Sequence, residues 1–166
     1  MATLNGCDAI VMIAASEIDS NLYYATGFLA PDPFIFIQCG EEKILVMSDL
    51  EVDRARNQGR VDTVLSYSAY EARLRESGTK PPGLLDVLDM VLLERNARRL
   101  LVPGNFGIEY ADSLRARGYT LTVKREPFFE ERVVKSEEEI EHITATQHAT
   151  EEAVDAAVGA IRAARV

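Results

Sequence analysis

EPFFEERVVKSEEEIEHITATQHATEEAVDAAVGAIRAARV, the stretch from Glu126 to Val166, decides how this sequence folds. It begins as a buried-looking strand over Phe128–Val134, and it ends as a helix with nothing visible in the chain to cover it. Ser136 and Glu139 have the spacing of a capping box, in which the hydroxyl accepts from the N–H three residues on and the carboxylate reaches back. A helix is therefore predicted to begin at Glu137.

Charge and apolar spacing specify the direction and the buried side of this helix. Glutamates crowd its first turn and arginines its last, which complements the helix dipole. From Glu137 to Arg165 it would be about 43 Å long, whereas a small domain is about 30 Å across. Its second half must then bury its apolar stripe against a partner subunit or a further domain. The stripe consists of Ile140, Ile143, Ala153, Val154, Ala157, Val158 and Ile161.

Composition limits the class of protein. The 166 residues are 47% hydrophobic and 27% charged, which fits one globular domain with a real core. The net charge of -9 argues against a nucleic-acid partner and against anionic membrane surfaces. No apolar run reaches the ~20 residues that span a bilayer, and the N-terminus lacks a signal-peptide pattern. We expect a cytoplasmic protein with no nucleic acid and no membrane as partner.

Six upstream segments have strand patterns. Ala9–Ala14 is an unbroken apolar run, which is typical of a strand covered on both faces. Phe34–Gln38 and Lys43–Met47 are separated by a glycine-containing turn and predict an antiparallel hairpin. The other predicted strands are Val61–Tyr67, Leu100–Val102 and Tyr119–Val123.

Helical patterns lie between these strands. Ser16–Leu22 predicts a short helix or turn, and Asp49 is expected to be the N-cap of a helix over Leu50–Gln58. Hairpin and crossover connections occur in one chain, so the fold class is α/β, with a mixed β-sheet flanked by helices and a long C-terminal helix. The other predicted helices are Tyr70–Glu76, Leu84–Leu93 and Ile108–Arg117.

The sequence carries no pattern of catalytic residues. It lacks the H-E-x-x-H, G-x-S-x-G, C-x-x-C, P-loop and G-x-G-x-x-G motifs. Cys7 and Cys39 are too few and too far apart for a disulfide framework or a zinc site. His142 and His148 lie about 240° apart around the predicted helix and cannot share one metal ion. We therefore assign no catalytic residue and no metal ligand in this chain.

The stretch Asn21–Phe28, NLYYATGF, packs aromatic residues around a glycine and is the best candidate for a surface that contacts a ligand or a partner. Gly27 would let another backbone approach closely. In the alternative interpretation, Tyr23, Tyr24 and Phe28 fill the core beside the first strand, and Gly27 only makes the turn. These residues alone leave both interpretations open.

Three pieces of the chain resemble the N-terminal domain of the creatinase, prolidase and aminopeptidase P family: Asn21–Phe28 (NLYYATGF), Asp49–Arg56 (DLEVDRAR) and Arg132–Ile140 (RVVKSEEEI). The match spans almost the whole chain, and the third piece is the most specific. The resemblance implies a creatinase N-terminal-like, ribonuclease H-like fold over residues 1–135. Residues 136–166 would then be a linker helix that starts a missing pita-bread catalytic domain.

In that family this domain is non-catalytic. The resemblance implies a parent enzyme that cleaves the bond before proline in Xaa-Pro peptides, with two divalent metal ions (manganese, cobalt or zinc) held in the missing C-terminal domain. It also implies a homodimer, in which the N-terminal domain borders the neighbouring subunit's active site. By this analogy Tyr24, Thr26 and Phe28 are candidates for an edge that narrows substrate access.

Two alternatives stay open. A creatinase-type hydrolase is compatible with the same domain, because substrate choice is read mostly in the missing part. A stand-alone binding module would instead use the apolar stripe of the last helix to dock a protein partner. A peptidase gene should continue past Val166 with metal-ligand spacing, and a binding module should stop near that residue.

Overall fold

The computed structural model describes residues 6–78 and 81–164. The chain divides into two compact units, Met1–Phe128 and Phe129–Val166. The first unit contains a β-sheet and its helices, and the second contains a short 3₁₀ turn and the long helix. The predicted domain boundary between residues 135 and 136 depends on where a second domain would begin, and it stays a prediction.

The described residues of the first unit form one sheet with the strand order β4-β3-β2-β1-β5-β6. The β1–β2 and β2–β3 pairs are antiparallel, whereas β3–β4, β1–β5 and β5–β6 are parallel. The predicted mixed sheet and its hairpin are confirmed. The strands are β1 (Ala9–Ala14), β2 (Phe34–Cys39), β3 (Glu42–Met47), β4 (Thr63–Ser66), β5 (Arg99–Pro103) and β6 (Thr120–Lys124).

The link between the two halves of this sheet is short. β1 pairs with β2 over five residue pairs but with β5 over only two. Asp8 extends the link, because its Oδ2 accepts from the N–H groups of Arg98 (2.9 Å) and Arg99 (2.8 Å). Its Oδ1 accepts from Nε (3.1 Å) and Nη2 (2.6 Å) of Arg99. The Arg99 side chain and then these two N–H groups hold the pKa of the Asp8 carboxyl far below its ordinary value.

Helices cover both faces of the sheet. Alternate strand residues such as Val11 and Ile37 pack with the buried residues of three helices, α3, α4 and α5, in one hydrophobic cluster. The intervening residues Ile10, Met12 and Phe36 are equally buried, and α1 and α2 bury residues outside that cluster, which places these two helices on the second face. The helices of the first unit are α1 (Ser20–Thr26), α2 (Val52–Gln58), α3 (Tyr67–Glu76), α4 (Leu84–Glu94) and α5 (Ile108–Ala116).

Gly27 ends α1 and turns the chain back toward the sheet. Its φ of 60° is left-handed, and its N–H donates to the carbonyl of Tyr23 (2.7 Å). A β-carbon at this position would lie 2.5 Å from Nε of Arg60. Both the backbone conformation and the neighbouring side chain therefore favour glycine.

Two helices begin at later residues in the structure than the sequence predicted. The helix predicted at Ser16–Leu22 begins at Ser20, because Asp19 is the residue whose side chain caps it. Asp49 is not an N-cap: α2 begins only at Val52, and the Asp49 carboxylate instead accepts from the hydroxyls of Ser66 (2.7 Å) and Ser68 (2.8 Å). Ser66 is the last residue of β4 and Ser68 lies in the helix that follows, so the competing partners are 17 and 19 residues away in the chain.

The expected strand over Phe128–Val134 is absent from the described residues. A 3₁₀ turn occupies Glu130–Val133, and Val134 is 80% exposed. Two consecutive phenylalanines are followed by the charged run Glu130–Arg132, so the segment has no alternating apolar face that a sheet could bury.

The second unit contains α6, Glu137–Ala163, which is 27 residues or about 40 Å long. The predicted capping box is confirmed: Ser136 Oγ accepts from the Glu139 N–H (3.2 Å), and the Glu139 carboxylate accepts from the Ser136 N–H (2.8 Å). None of the α6 residues is buried. The predicted helix end at Arg165 lies outside the described residues.

Across the two described ranges, no helix combines the length and apolar character that a bilayer span requires.

Replacing Asp8 by Asn should lower the melting temperature at pH 7. Because the folded-state pKa of Asp8 is depressed, its contribution to stability is present above its unfolded pKa near 3.8 and is lost as the pH falls toward the folded value. The difference in melting temperature between wild type and D8N should therefore shrink from pH 7 to pH 3. Asp112→Asn, in an exposed ion pair with Arg115, is the control. An unchanged difference at pH 3 would contradict this role.

Gly27→Ala should reduce the free energy of unfolding in urea by more than Gly40→Ala does. Both glycines have φ near 60°, so each alanine carries a left-handed backbone cost of about 1–2 kcal/mol. Only Gly27 also has a neighbour in the way, since nothing lies within 4 Å of a β-carbon at Gly40. Equal losses in the two variants would show that the contact with Arg60 has no energetic weight.

Candidate functional site

Five strands of the described sheet end at the same edge, and only β2 begins there, because β3 and β4 run parallel to β1, β5 and β6. We call this the carboxyl edge. Open α/β sheets bind their ligands outside the carboxyl ends of the strands. The predicted candidate stretch starts at this edge, where the chain leaves β1 and enters α1.

Asp19 builds the start of α1. Its Oδ1 accepts from the N–H groups of Asn21 (3.0 Å) and Leu22 (2.9 Å), which are two of the donors that a helix start leaves unpaired. Ser16 fixes the preceding turn, since its hydroxyl accepts from the Ala30 N–H (2.8 Å). The two ends of the segment around α1 are thereby held together at the carboxyl edge.

A polar network then joins this start to two distant loops. Oδ2 of Asp19 accepts from the side-chain amide of Asn105 (2.9 Å), in the loop after β5. The Asn21 amide donates to the Glu126 carboxylate (2.6 Å), in the loop after β6, and this carboxylate also accepts from the Phe128 N–H (3.0 Å). Asp19 and Asn21 are both buried. Buried polar groups that are fully paired fix a single arrangement of the loops that carry them.

Sequence reasoning included Asn21 in the candidate stretch but missed Asp19, Asn105 and Glu126. An aspartate just before a polar helix is a recognisable N-cap, so Asp19 could have been found from the sequence. Its partner Asn105 lies 86 residues away, and Glu126 lies 105 residues from Asn21. No local pattern marks either of these two partners.

The three predicted site residues take different positions. Thr26 and Phe28 are both fully buried. The Thr26 hydroxyl donates to the Leu22 carbonyl (2.8 Å), and the Phe28 ring packs edge-on against Phe34 at 6.1 Å. Tyr24 is half-buried and is the one of the three that reaches solvent. Of the three residues that the core interpretation named, Phe28 is buried, whereas Tyr24 is half-buried and Tyr23 is 46% exposed. A part in substrate access stays a prediction for Tyr24, Thr26 and Phe28.

The carboxyl edge exposes large apolar side chains. Ile18 (88% exposed) follows β1, Leu29 (49%) precedes β2, Leu50 (93%) follows β3 and Ile108 (76%) follows β5. The strands β3, β2, β1 and β5 are neighbours in the sheet, and at the usual spacing between strands they span about 14 Å across it. All four lie at one edge of the sheet, and contiguous exposed apolar patches mark interaction surfaces, whereas isolated apolar side chains are ordinary.

A groove of about 380 Å³ lies elsewhere, on α3 and α4. Its charged groups already have partners: Arg73 binds Glu94 at 2.6 Å, and Arg117 binds Asp86 at 2.7 Å. The pKa of Asp86 is lowered by the Gly83 N–H and then by Arg117. These contacts are typical of a structural ion-pair cluster. The lining residues are Arg73, Leu74, Asp86, Asp89, Met90, Leu93 and Glu94.

The described residues do not fit a metal centre. Within 6–78 and 81–164, no group of three or more His, Cys, Asp or Glu side chains is placed to hold an ion. His142 and His148 are both exposed on α6.

The model of the creatinase/prolidase N-terminal domain family matches residues 3–88. No curated protein matches the sequence. Among solved structures, a prolidase from Pyrococcus furiosus is 18% identical, with a TM-score of 0.68 over 93% of this chain and 40% of its own. An X-Pro aminopeptidase from Thermotoga maritima is 15% identical, with a TM-score of 0.73 over 96% of this chain and 42% of its own.

A shorter solved chain, an aminopeptidase P (Xaa-Pro aminopeptidase) from Streptococcus thermophilus, is 17% identical, with a TM-score of 0.54 over 78% of this chain and 88% of its own. The chain thus spans less than half of the two longer structures. At these identities the likeness establishes the fold. The family match covers more than half of the sequence, and the chain belongs to the creatinase/prolidase N-terminal domain family.

Proposed function

We propose that this chain is the N-terminal, non-catalytic part of a larger metal-dependent hydrolase that cleaves Xaa-Pro peptides, of the aminopeptidase P or prolidase type. The family match over residues 3–88 carries the proposal. The structural neighbours agree with it, since they are a prolidase and Xaa-Pro aminopeptidases. A catalytic domain would follow α6.

In this proposal the parent binds two divalent metal ions, manganese, cobalt or zinc, through residues of the following domain. The lack of a suitable ligand group in the described residues is compatible with that division of labour. This chain would then help to position the peptide substrate and limit its access to the active site, and the following domain would supply the reacting groups.

The long helix would be the linker to that domain. Four residues of its apolar stripe are more than half exposed: Ile140 (52%), Ile143 (56%), Val154 (55%) and Ile161 (74%). Burying such side chains typically stabilises a protein by about 1.5–3 kcal/mol each. A following domain packed against the stripe would gain this energy, which supports the linker role.

We further infer a homodimer in which the carboxyl edge borders the active site of the neighbouring subunit. Ile18, Leu29, Leu50 and Ile108 support this, because they offer apolar contacts along one edge. Tyr24 would narrow the path of the peptide. Thr26 and Phe28 would act from the core, by holding the end of α1 and the return toward β2 in place.

A cytoplasmic location fits the two free cysteines, Cys7 and Cys39.

The chain alone should not hydrolyse Xaa-Pro dipeptides or tripeptides with added manganese, because its described residues contain no group of side chains placed to hold a metal ion. The full-length gene product should hydrolyse them, and its sequence should continue past Val166 with metal-ligand spacing. Turnover by the isolated chain would defeat the proposal. A gene that stops near Val166 would favour the binding module, and hydrolysis of creatine instead of peptides would favour the creatinase type.

Tyr24→Ala in the full-length enzyme should raise kcat/KM for longer peptides relative to dipeptides by up to about tenfold, which corresponds to about 1.4 kcal/mol. The reason is that a truncated side chain would widen the path of the peptide. Tyr23→Ala, which removes a neighbouring tyrosine that is 46% exposed, is the matched control. Equal changes for all peptide lengths in Y24A would exclude a part in length selection.

A further inference from the structure

Among the described strands, β6 lies at one end of the sheet and pairs with β5 alone. The Thr120 N–H donates to the Arg98 carbonyl (3.0 Å), toward β5. Because backbone groups alternate along a strand, Thr122 and Lys124 also face β5, whereas Leu121 and Val123 face outward. In the part of the chain that the structure describes, β6 is an end strand, and the backbone groups of Leu121 and Val123 have no hydrogen-bond partner.

The side chains of this strand do not protect the open edge. Natural edge strands usually carry proline, a bulge or several charges that block pairing with another chain. The sequence Thr-Leu-Thr-Val-Lys has one charge, at its end, and its pairing with β5 is continuous over five residues. Thr122 and Val123 are exposed, the latter by 54%. The edge is therefore open in both its backbone and its side chains.

We propose that β6 pairs antiparallel with β6 of a second copy of this chain, centred on Thr122, so that the two sheets join edge to edge. That the partner is a second copy of this chain rests on the homodimer proposed above. The contact itself is separate from the carboxyl edge.

The outward backbone groups of β6 are placed so that the strand can pair with β6 of a second copy. Two-fold pairing about Thr122 places Leu121 opposite the partner's Val123 and Val123 opposite the partner's Leu121. All four of these residues face outward, so each pair can exchange both of its N–H···O bonds. The outward donors of one copy thus meet the outward acceptors of the other without any displacement.

Side-chain chemistry agrees with this register. Leu121 meets the partner's Val123, and both are apolar, as favourable cross-strand pairs often are. Lys124 faces the partner's Thr120, which is neutral, and the two lysines are about 14 Å apart, or four residues of strand. No like charges oppose each other, although the chain as a whole carries -9.

The other end strand is less suited to such pairing. β4 has four residues, one fewer than β6. Its last residue, Ser66, is the N-cap of α3, and the hydroxyl accepts from the Ala69 N–H (3.2 Å). The continuous open ladder of the described sheet is therefore on the β6 side.

Thr122→Cys in a Cys7→Ser, Cys39→Ser background tests the register directly. Thr122 would face its own copy in a non-hydrogen-bonded pair, with Cα atoms about 4.5 Å apart, a separation that a disulfide can bridge. Mild oxidation of the isolated chain should give a disulfide-linked dimer on a non-reducing gel. Thr120→Cys in the same background is the control: its two cysteines would lie about 14 Å apart in the paired strands, so it should form no disulfide and should run as a monomer on the same gel.

A second variant tests the hydrogen bonds. Val123→Pro removes an outward N–H and leaves the bonds between β5 and β6 intact, which an edge strand tolerates. It should weaken dimerisation in sedimentation equilibrium by at least about tenfold. In the wild type, the amides of Leu121 and Val123 should exchange slowly at high protein concentration and rapidly at low concentration. The amide of Thr122, bonded to β5, should be protected at both.

The outcomes separate this inference from the proposed function. No cross-link in Thr122→Cys, or rapid exchange of Leu121 and Val123 at every concentration, would overturn the β6 pairing. If the chain still dimerised, the contact would lie elsewhere, for example on α6, and the proposed homodimer would stand. Conversely, a parent without Xaa-Pro peptidase activity would leave a cross-linked β6 dimer unaffected.

Discussion

The short pairing between β1 and β5 is the constraint on which the first unit depends, because it joins the antiparallel hairpin half of the sheet to the parallel half. Only two residue pairs form that ladder, and the four hydrogen bonds that Asp8 accepts from Arg98 and Arg99 extend it. A carboxylate can accept several bonds at once, and charge-assisted bonds are the strong ones. One side chain thereby fixes the register of two strands that are distant in sequence.

That register has consequences at the opposite end of the strands. With β1 and β5 aligned, the loops that follow them lie side by side, and Asp19 can reach Asn105. The loop after β6 joins through Glu126 and Asn21. Packing, buried hydrogen bonds and the exposed apolar residues of the carboxyl edge are therefore linked, since each requires the same strand order.

Much of the fold could be predicted because its signals are local. The hairpin of β2 and β3, the buried run of β1 and the cap of α6 each depend on residues a few positions apart. The errors had different causes: the start of α1 and the expected strand over Phe128–Val134 were decided by local residues, whereas a distant partner displaced the start of α2. Asp49 bonds to Ser66 and Ser68 instead of starting α2. Likewise, burial separates Tyr24 from Thr26 and Phe28 in a way that their spacing did not reveal.

By itself, the sequence determined the order of the elements, the direction and start of the long helix, and the resemblance to a peptidase accessory domain. The elements and the helix start follow from hydrogen bonds and apolar spacing within a few residues of each other, whereas the resemblance rests on three matching stretches of sequence. The tertiary structure alone decided which loops share the carboxyl edge, which polar groups are buried there, and which strand is left at the open end of the sheet. Strand order sets all three, and it brings together residues up to 105 positions apart, such as Asn21 and Glu126.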